Sequence, residues 1–343
     1  MTDERPVADR IEGVPTPAEH DLLVGHDRPL EAFLDALRTE RLHHAWLLAG
    51  PKGIGKATAA FRMAADVLSR GSDRSRGEVL AQVGRGGHPG LLVMSRPWDE
   101  KAKRFRAQLP IDEVRKSQAF FGLTAGGGER RVCVVDAADD MNASSANALL
   151  KVLEEPPARS LFFVIAHSPG RLLPTIRSRC RTLAFSPLTR EGVEEVIGGL
   201  MPSADRTDVS RVARSADGAP RNAFTMLQGD VLPLFDMFER LANQMTTKGG
   251  RPAWNDVHKL AEAAAKGGDF EAFLDLVFSW IAERMRAEVA TGGSSGSLVR
   301  WPRLWEEIGE ARSRAAVYNL DKKQVILDLF TFLSGSERAT AAR

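Results

Sequence analysis

A glycine-rich loop directly after a short apolar run limits the folds open to this chain. Residues 45–49 read Ala-Trp-Leu-Leu-Ala, without the polar alternation of a half-exposed strand, which is typical of a buried parallel strand. Gly50-Pro51-Lys52-Gly53-Ile54-Gly55-Lys56 follows, and residues 56–68 have helical spacing. A strand, a glycine loop and a helix in this order form the context of a phosphate-binding loop. The sequence therefore predicts an α/β domain with such a loop. It leaves open whether the loop holds a nucleotide or is a turn that binds nothing.

One chemical group that ATP hydrolysis requires is absent from the loop. A phosphate loop ordinarily has Ser or Thr directly after its lysine, and that hydroxyl binds magnesium. Here Lys56 is followed by Ala57, and the hydroxyl of Thr58 comes one position late. One position is about 100° around a helix of 3.6 residues per turn, so we expect Thr58 to point away from a metal.

A second group is absent after the apolar run 131–135. Asp136 ends that run and is a candidate magnesium-binding carboxylate, although a strand-terminating turn residue would look the same. Ala137 follows and cannot orient an attacking water molecule. We expect Asp139 and Asp140 to cap the start of the next helix. Together with Ala57, Ala137 predicts a chain that works beside ATP without hydrolysing it.

The order of apolar segments predicts two kinds of architecture along the chain. Strand and helix patterns alternate up to about Ser186, which indicates a parallel sheet with helices on both faces. The three consecutive glycines within 124–129 predict a turn. After Ser186 every apolar segment has helical spacing. We expect a loosely ordered N-terminus and three domains: a flexible 1–20, an α/β domain over 21–186, a small helical domain over 187–229 and an all-α domain over 230–343.

Composition excludes several classes of protein. The 343 residues include 47 basic and 45 acidic side chains, so the net charge of +2 indicates no overall field for nucleic acid. Two cysteines, Cys133 and Cys180, cannot form a disulfide framework or a paired zinc site. No run approaches the roughly 20 apolar residues of a membrane helix. We expect a cytoplasmic protein without a membrane partner.

Two motifs resemble the clamp-loader branch of the AAA+ superfamily. They are Asn147-Ala148-Leu149-Leu150-Lys151-Val152-Leu153-Glu154-Glu155-Pro156-Pro157 and Ser178-Arg179-Cys180. Four further segments are more similar to the delta-prime branch of bacterial DNA polymerase III clamp loaders than to its gamma/tau motor subunits: Leu42-His43-His44-Ala45, Gly53-Ile54-Gly55-Lys56-Ala57, Asp136-Ala137-Ala138 and His167-Ser168-Pro169-Gly170-Arg171-Leu172-Leu173. The specific motifs lie between about Leu23 and Gln228. Beyond them the resemblance rests on a helical pattern of the right length.

The resemblance implies a fold and a set of site residues. The fold is an AAA+ phosphate-loop domain, a small helical lid domain and an all-α collar domain that holds an oligomer together. Arg179 becomes an arginine finger that acts in trans on the ATP of a neighbouring gamma/tau subunit. Gly218-Ala219-Pro220-Arg221 matches the sensor-2 motif. The candidate nucleotide site then comprises Gly50, Gly53, Gly55, Lys56, Ala57, Thr58, Asp136 and Arg221. An alternative for Arg179 is a solvated basic cluster with Arg177 and Arg181.

The resemblance also implies cofactors and partners. ATP or ADP would bind without hydrolysis, and no cofactor is required. Many relatives carry a four-cysteine zinc module, but residues 69–89 contain no cysteine, so we expect no zinc or other metal and a flexible or differently folded connection there. The partners would be gamma/tau and delta in a hetero-pentamer, with the sliding clamp and primed DNA reached through the complex. The alternatives are an active gamma/tau-like ATPase motor and an AAA+ protein of another setting, such as an initiator.

Overall fold

The computed structural model describes residues 10–70, 72–122, 130–248, 253–266, 270–290, 295–318 and 321–334. These residues divide into two compact units. The first takes the described part of Met1–Ser203 together with Asp217–Arg221, and the second takes Ala204–Ala216 and the described part of Asn222–Arg343. The predicted turn at 124–129 lies outside the described residues, and the predicted domain boundaries stay predictions.

The first unit is built on a five-stranded parallel sheet. Its order across the sheet is β2-β5-β6-β1-β7, so β1 lies between β6 and β7. Because all five strands run in the same direction, the loops that follow β1, β5 and β6 meet at one edge of the sheet, which we call the carboxyl edge. In chain order the strands are β1 (Ala45–Ala49), β2 (Leu91–Ser95), β3 (Trp98–Asp99), β4 (Arg104–Phe105), β5 (Arg131–Asp136), β6 (Ser160–Ala166) and β7 (Arg181–Ala184), of which β3 and β4 form a separate antiparallel pair.

Helices cover both faces of the sheet because the central strands are apolar on both sides. Neighbouring residues of β6 illustrate this: Phe163 belongs to the core on one face and Phe162 to the core on the other, and both are fully buried. The predicted α/β fold is thereby confirmed. The helices of this unit are α1 (Asp27–Arg38), α2 (Lys56–Leu68), α3 (Arg76–Gly84), α4 (Ile111–Gly122), α5 (Ala143–Glu154), α6 (Pro174–Ser178) and α7 (Arg190–Leu200).

The connection at 69–89 contains a helix. Ser75 is the N-cap of α3, its side chain accepts from the backbone of Glu78, and the Glu78 carboxylate accepts from the backbone of Ser75. Such a capping box satisfies backbone N–H groups at the start of a helix. Val79 and Val83 of α3 are buried in the core, so the described part of this connection is a helix packed on the domain.

Every secondary-structure element in the described part of the second unit is a helix, as the spacing predicts. Phe238 of α10 is fully buried and its ring contacts those of Phe273, Trp280 and Phe330 from α12 and α14, with centroids 5.4–6.0 Å apart. Aromatic rings at such distances bury large areas in edge-to-face geometry. Its helices are α8 (Arg206–Ser215), most of α9 (Pro220–Leu227), α10 (Val231–Lys248), α11 (Trp254–Lys266), α12 (Phe270–Ala290), α13 (Ser295–Tyr318) and α14 (Lys322–Leu333). No helix in the described part of the chain is long and apolar enough to span a bilayer.

The turn after β1 leaves no room for a side chain at Gly50. A Cβ atom there would lie 2.2 Å from the carbonyl oxygen of Phe185, which belongs to the backbone and cannot move aside. We expect Gly50→Ala to lower the free energy of unfolding by more than about 1 kcal/mol. Gly198→Ala is the matched control, because a Cβ at that exposed position in α7 meets nothing within 4 Å. There we expect a gain of up to about 1 kcal/mol. Urea unfolding measures both, and equal effects of the two substitutions would contradict this packing argument.

Candidate functional site

The glycine loop is held at the carboxyl edge by the strands on either side of β1. The N–H of Gly50 donates to the carbonyl of Ala166 at the end of β6, at 3.2 Å. The N–H of Phe185, just after β7, donates to the carbonyl of Ala49 at 2.8 Å. The loop therefore begins from a fixed point. It continues into α2, whose N-cap is Gly55 at a φ of 104°, with no side chain capping the helix.

Lys56 is the charged centre of the loop. Its side chain is buried, and its Nζ donates to the carbonyl oxygen of Gly50 at 2.7 Å and to that of Pro51. Burial lowers the pKa of this amine to about 8, because a charged group loses its hydration there. The nearby carboxylates of Asp136 and Asp139 act in the opposite direction. An anion placed at the loop would raise this pKa again and keep the ammonium charged.

The two positions after Lys56 carry no exposed hydroxyl. The methyl group of Ala57 packs against the core that α1 and α2 share with the sheet. Thr58 is 5% exposed and lies among the buried residues of α2. That burial fits the expectation that Thr58 points away from a metal at the loop.

The interpretation of Asp139 and Asp140 as helix caps is wrong. Asn142 caps α5, since its Oδ1 accepts from the N–H of Ser145 at 2.9 Å. The Asp139 carboxylate instead accepts from the backbone N–H groups of His167 at 2.6 Å and Ser168 at 2.7 Å. The reason is topological: β5 and β6 are parallel neighbours, so the residues after one strand meet those after the other.

Asp140 has a separate role in the same region. Its carboxylate forms an ion pair with the Nε of Arg96 at 3.1 Å, and its carbonyl accepts from the N–H of Leu109 at 2.7 Å. Asp140 therefore ties the segment between β2 and α4 to the end of β5. It adds rigidity below the site and contributes no group to the loop itself.

Arg221 lies against the glycine loop. Its backbone N–H donates to the carbonyl of Gly53 at 3.2 Å, and a Cβ on Gly53 would approach the Cβ of Arg221 to 2.8 Å. The chain reaches this place through Gly218, whose φ is 70° and whose carbonyl accepts from the N–H of Leu188 at 2.9 Å. The predicted sensor-2 turn and the predicted phosphate loop thus meet within the first unit.

His26 also contacts the glycine loop, although no sequence pattern pointed to it. The ring is 2% exposed, and its Nε2 donates to the carbonyl of Ile54 in the middle of the loop at 2.7 Å. It also packs edge-on against Phe185, with 4.9 Å between ring centroids. Burial lowers the pKa of His26, so the neutral ring that carries its proton on Nε2 fits this contact. A single histidine before a helix has no periodicity or spacing that could have revealed this role.

Arg179 lies at the opposite edge of the sheet. It follows α6 and precedes β7, while the loop follows β1. In the pairing of β1 with β7, Trp46 is level with Arg181 and Ala49 is level with Ala184. The four residues from Trp46 to Gly50 span about 13 Å at 3.3 Å per residue. Arg179 precedes Arg181, the partner of Trp46, by a further two residues.

The guanidinium of Arg179 contacts two other residues in the described part of the chain. Its Nη2 forms an ion pair with Oε1 of Glu154 at 2.8 Å, and its Nη1 donates to the carbonyl of Thr175 at 3.0 Å. The next residue, Cys180, packs against the core, and burial raises the pKa of its thiol to about 12. That thiol is therefore protonated and unreactive near neutral pH.

The structure divides the predicted site residues into two groups. Those at the carboxyl edge lie together around one loop, and Arg179 alone lies away from them. The members of the first group are Gly50, Gly53, Gly55, Lys56, Ala57, Asp136 and Arg221, with Thr58 one turn inside α2. Among the described residues, no cluster of three or more His, Cys, Asp or Glu side chains is arranged to hold a metal ion.

Comparisons with known proteins agree on one family. The family described as "DNA polymerase III, delta subunit" matches residues 25–189. The delta-prime subunit of DNA polymerase III from Pseudomonas aeruginosa is 41% identical over 141 residues, covering 40% of this chain and 41% of that protein. Over these residues, the chain is similar to the delta-prime subunits of DNA polymerase III.

More distant relatives match over a longer part of the chain. The Escherichia coli delta-prime subunit is 31% identical over 207 residues, covering 58% of this chain and 59% of that protein. The Bacillus subtilis tau subunit is 25% identical over 232 residues, covering 64% of this chain and 40% of its own length. The chain therefore spans about two fifths to three fifths of the length of the delta-prime proteins it matches.

A solved structure of a Thermotoga maritima protein related to the gamma subunit of DNA polymerase III aligns with 90% of this chain and 100% of its own. The identity is 17% and the TM-score 0.45, a level of similarity that supports no further conclusion about this chain.

The buried amine of Lys56 generates a prediction about stability and pH. Its pKa is about 8 in the folded chain, below the ordinary value of 10.5, so the charged form is disfavoured by folding. This penalty is fully present below pH 8 and disappears as the pH rises to 10.5. We expect Lys56→Met to raise the free energy of unfolding at pH 7 by on the order of 1–3 kcal/mol, and by much less at pH 10.

Lys52→Met is the matched control, since Lys52 belongs to the same loop but is exposed. Urea unfolding at pH 7 and pH 10 measures both variants. A gain for Lys56→Met that is the same at the two pH values would show that the amine is not titrating near 8.

Proposed function

We propose that this chain is the delta-prime subunit of a clamp loader, which hydrolyses no ATP itself and donates Arg179 to the ATP of a neighbouring gamma/tau subunit. The observation that carries the proposal is the position of Arg179 at the amino end of β7, at the opposite edge of the sheet from the loop. An arginine so placed does not reach a phosphate on its own loop. Its neighbours Arg177 and Ser178 are exposed, which supports the proposal that a second subunit binds at this edge.

The chemistry of arginine fits such a role. A guanidinium is always charged and presents a fixed fork of donors, which suits the oxygens of a transferring phosphoryl group. A trans-acting arginine stabilises charge that develops in the transition state of phosphoryl transfer. Arg179 is partly exposed and its two described partners occupy one hydrogen each on Nη1 and Nη2, so donors remain for a phosphate.

The chain's own loop keeps the groups that bind phosphate and lacks those that hydrolyse it. Lys56, Asp136 and the Arg221 turn surround the loop, which supports binding of ATP or ADP. Ala57 offers no hydroxyl to magnesium and Ala137 no group to a water molecule. Both carboxylate oxygens of Asp139 accept backbone N–H groups, which gives this side chain a structural role. On this proposal the nucleotide is structural and no zinc or other metal is required.

The proposed partners follow from the family. The chain would join gamma/tau and delta subunits in a hetero-pentamer through the helices of its second unit. The complex would open the sliding clamp and place it on primed DNA. Relatives named tau and gamma/tau match 62–64% of this chain, which is consistent with subunits of one assembly that share an architecture. Work on replicating DNA would place the protein in the cytoplasm.

The second candidate is an active motor subunit of the gamma/tau type. The retained Lys56 and Asp136 favour it, because both belong to working phosphate loops. It differs from the first candidate in one measurable property, the turnover of ATP by this chain alone.

We expect the purified chain to turn over ATP far below 1 s⁻¹, the low end of ordinary enzyme rates. A fluorescent ATP analogue should nevertheless bind, and Lys56→Ala should weaken that binding by removing the charge that faces the phosphates. Lys52→Ala serves as the control. Steady hydrolysis near 1 s⁻¹ that Lys56→Ala abolishes would establish the motor instead. Binding that is unaffected by Lys56→Ala would place the nucleotide elsewhere.

We expect Arg179→Ala to leave assembly with the gamma/tau and delta subunits intact and to slow ATP hydrolysis by the reconstituted complex. Loss of a trans arginine lowers the rate roughly 10³-fold at the site it serves, so the total rate should fall by that site's share. Arg177→Ala is the matched control, since Arg177 is exposed in α6, two positions before Arg179. If the two variants hydrolyse ATP at the same rate as the wild type, Arg179 is not a finger.

A further inference from the structure

We infer that Glu154 is a positioning residue, which holds the guanidinium of Arg179 in the orientation that a neighbour's nucleotide requires. The inference rests on the proposed role of Arg179 and adds a second residue to it. The observation behind it is the 2.8 Å ion pair between Oε1 of Glu154 and Nη2 of Arg179.

Glu154 occupies a position in its helix at which an acidic side chain is unfavourable. It is the last residue of α5, and a second acid, Glu155, follows as the C-cap. The carboxyl end of a helix carries partial negative charge from its unpaired carbonyls, so an acidic side chain is unfavourable there. A residue that breaks a local rule without helping its own element points to a requirement from elsewhere. The described partner of Glu154 that meets this requirement is Arg179.

Stability alone does not explain the pair. The side chain of Arg179 is 35% exposed and that of Glu154 is 42% exposed. Ion pairs with this much exposure are screened by solvent and contribute little to folding. What such a pair does supply is direction, because a carboxylate restricts the rotation of a guanidinium that is otherwise free to sample many rotamers.

Two anchors fix the plane of the guanidinium. Glu154 accepts from Nη2, and the carbonyl of Thr175, one turn earlier in the chain, accepts from Nη1. A guanidinium has five N–H groups, so these two contacts leave three for a phosphate. A planar group held at both terminal nitrogens and still able to donate is preorganised, so little reorganisation is needed when charge develops in the reaction.

The elements that carry the two residues are themselves fixed. Leu153, next to Glu154, and Ile176, in α6, are both buried in the same core beneath the sheet. The pair therefore joins the end of one well-packed helix to the start of the segment that leads into β7. Glu154 and Arg179 lie 25 positions apart in two different sequence motifs, and the packing of α5 and α6 brings them together.

The test is a double-mutant cycle in the reconstituted clamp-loader complex. We expect Glu154→Ala to lower kcat for ATP several-fold, up to ~10²-fold at the affected site, with KM unchanged, because misplacing a reacting group costs rate rather than affinity. Glu154→Gln keeps an oxygen acceptor at the same place and should lose less. Glu155→Ala removes the same charge from the neighbouring residue and should behave as the wild type.

The decisive measurement is the effect of Glu154→Ala on the rate of ATP hydrolysis in the Arg179→Ala background. If Glu154 acts through Arg179, adding Glu154→Ala to Arg179→Ala causes no further loss. A further loss of the same size as in the wild type would show a general structural effect and overturn the inference, as would a Glu154→Ala rate equal to or above that of the wild type. The Glu154→Gln variant guards against a folding defect, and thermal unfolding of every variant checks it.

The same cycle separates the two proposals. If Arg179→Ala slows hydrolysis and Glu154→Ala does not, the finger stands and the positioning role fails. If Arg179→Ala has no effect, the proposed function fails, and the role of Glu154 fails with it whatever its own substitution does.

Discussion

The parallel pairing of β1 with its neighbours β6 and β7 is the constraint on which the rest of the first unit depends. This pairing aligns Ala49 with Ala166 on one side and with Ala184 on the other, so the glycine loop leaves the sheet at a defined point. It also separates the loop from Arg179, which enters at the far end of β7. A parallel sheet has two chemically different edges, and in this chain the glycine loop lies at one of them and the partly exposed Arg179 at the other.

The loop is an intact scaffold with incomplete chemistry. Its backbone turns are kept by close contacts that exclude side chains, and its ammonium group is held by the loop's own carbonyls. His26 adds a hydrogen bond to the middle of the loop from outside it. These features hold the backbone of the loop in one shape. The residues at positions 57 and 137 are alanines, so neither side chain offers an oxygen or nitrogen atom there.

The sequence predicted the fold class, and it selected most of the residues that lie around the glycine loop but not His26. The bounds of α2 and of the apolar strands could be predicted from the sequence. Buried helices and strands require apolar residues at a regular spacing or in an unbroken run, and both patterns are visible in the sequence. Asp139 was misread as a helix cap because its partners, at His167 and Ser168, belong to a neighbouring strand. His26 and Glu154 were not selected for similar reasons. Their contacts are made to residues 28 and 25 positions away, and no local spacing encodes such distances.

By itself the sequence determined the fold class, the position of the glycine loop directly after the first strand, and the alanines at positions 57 and 137 that offer no hydroxyl or carboxylate. It did so because residue type and spacing along the chain are enough to specify a strand, a turn or a missing hydroxyl. Only the tertiary structure decided which side chains meet. It placed Arg221 on the loop, Arg179 at the opposite edge and Glu154 beside Arg179, because the order of strands in a sheet is not the order of strands in the chain.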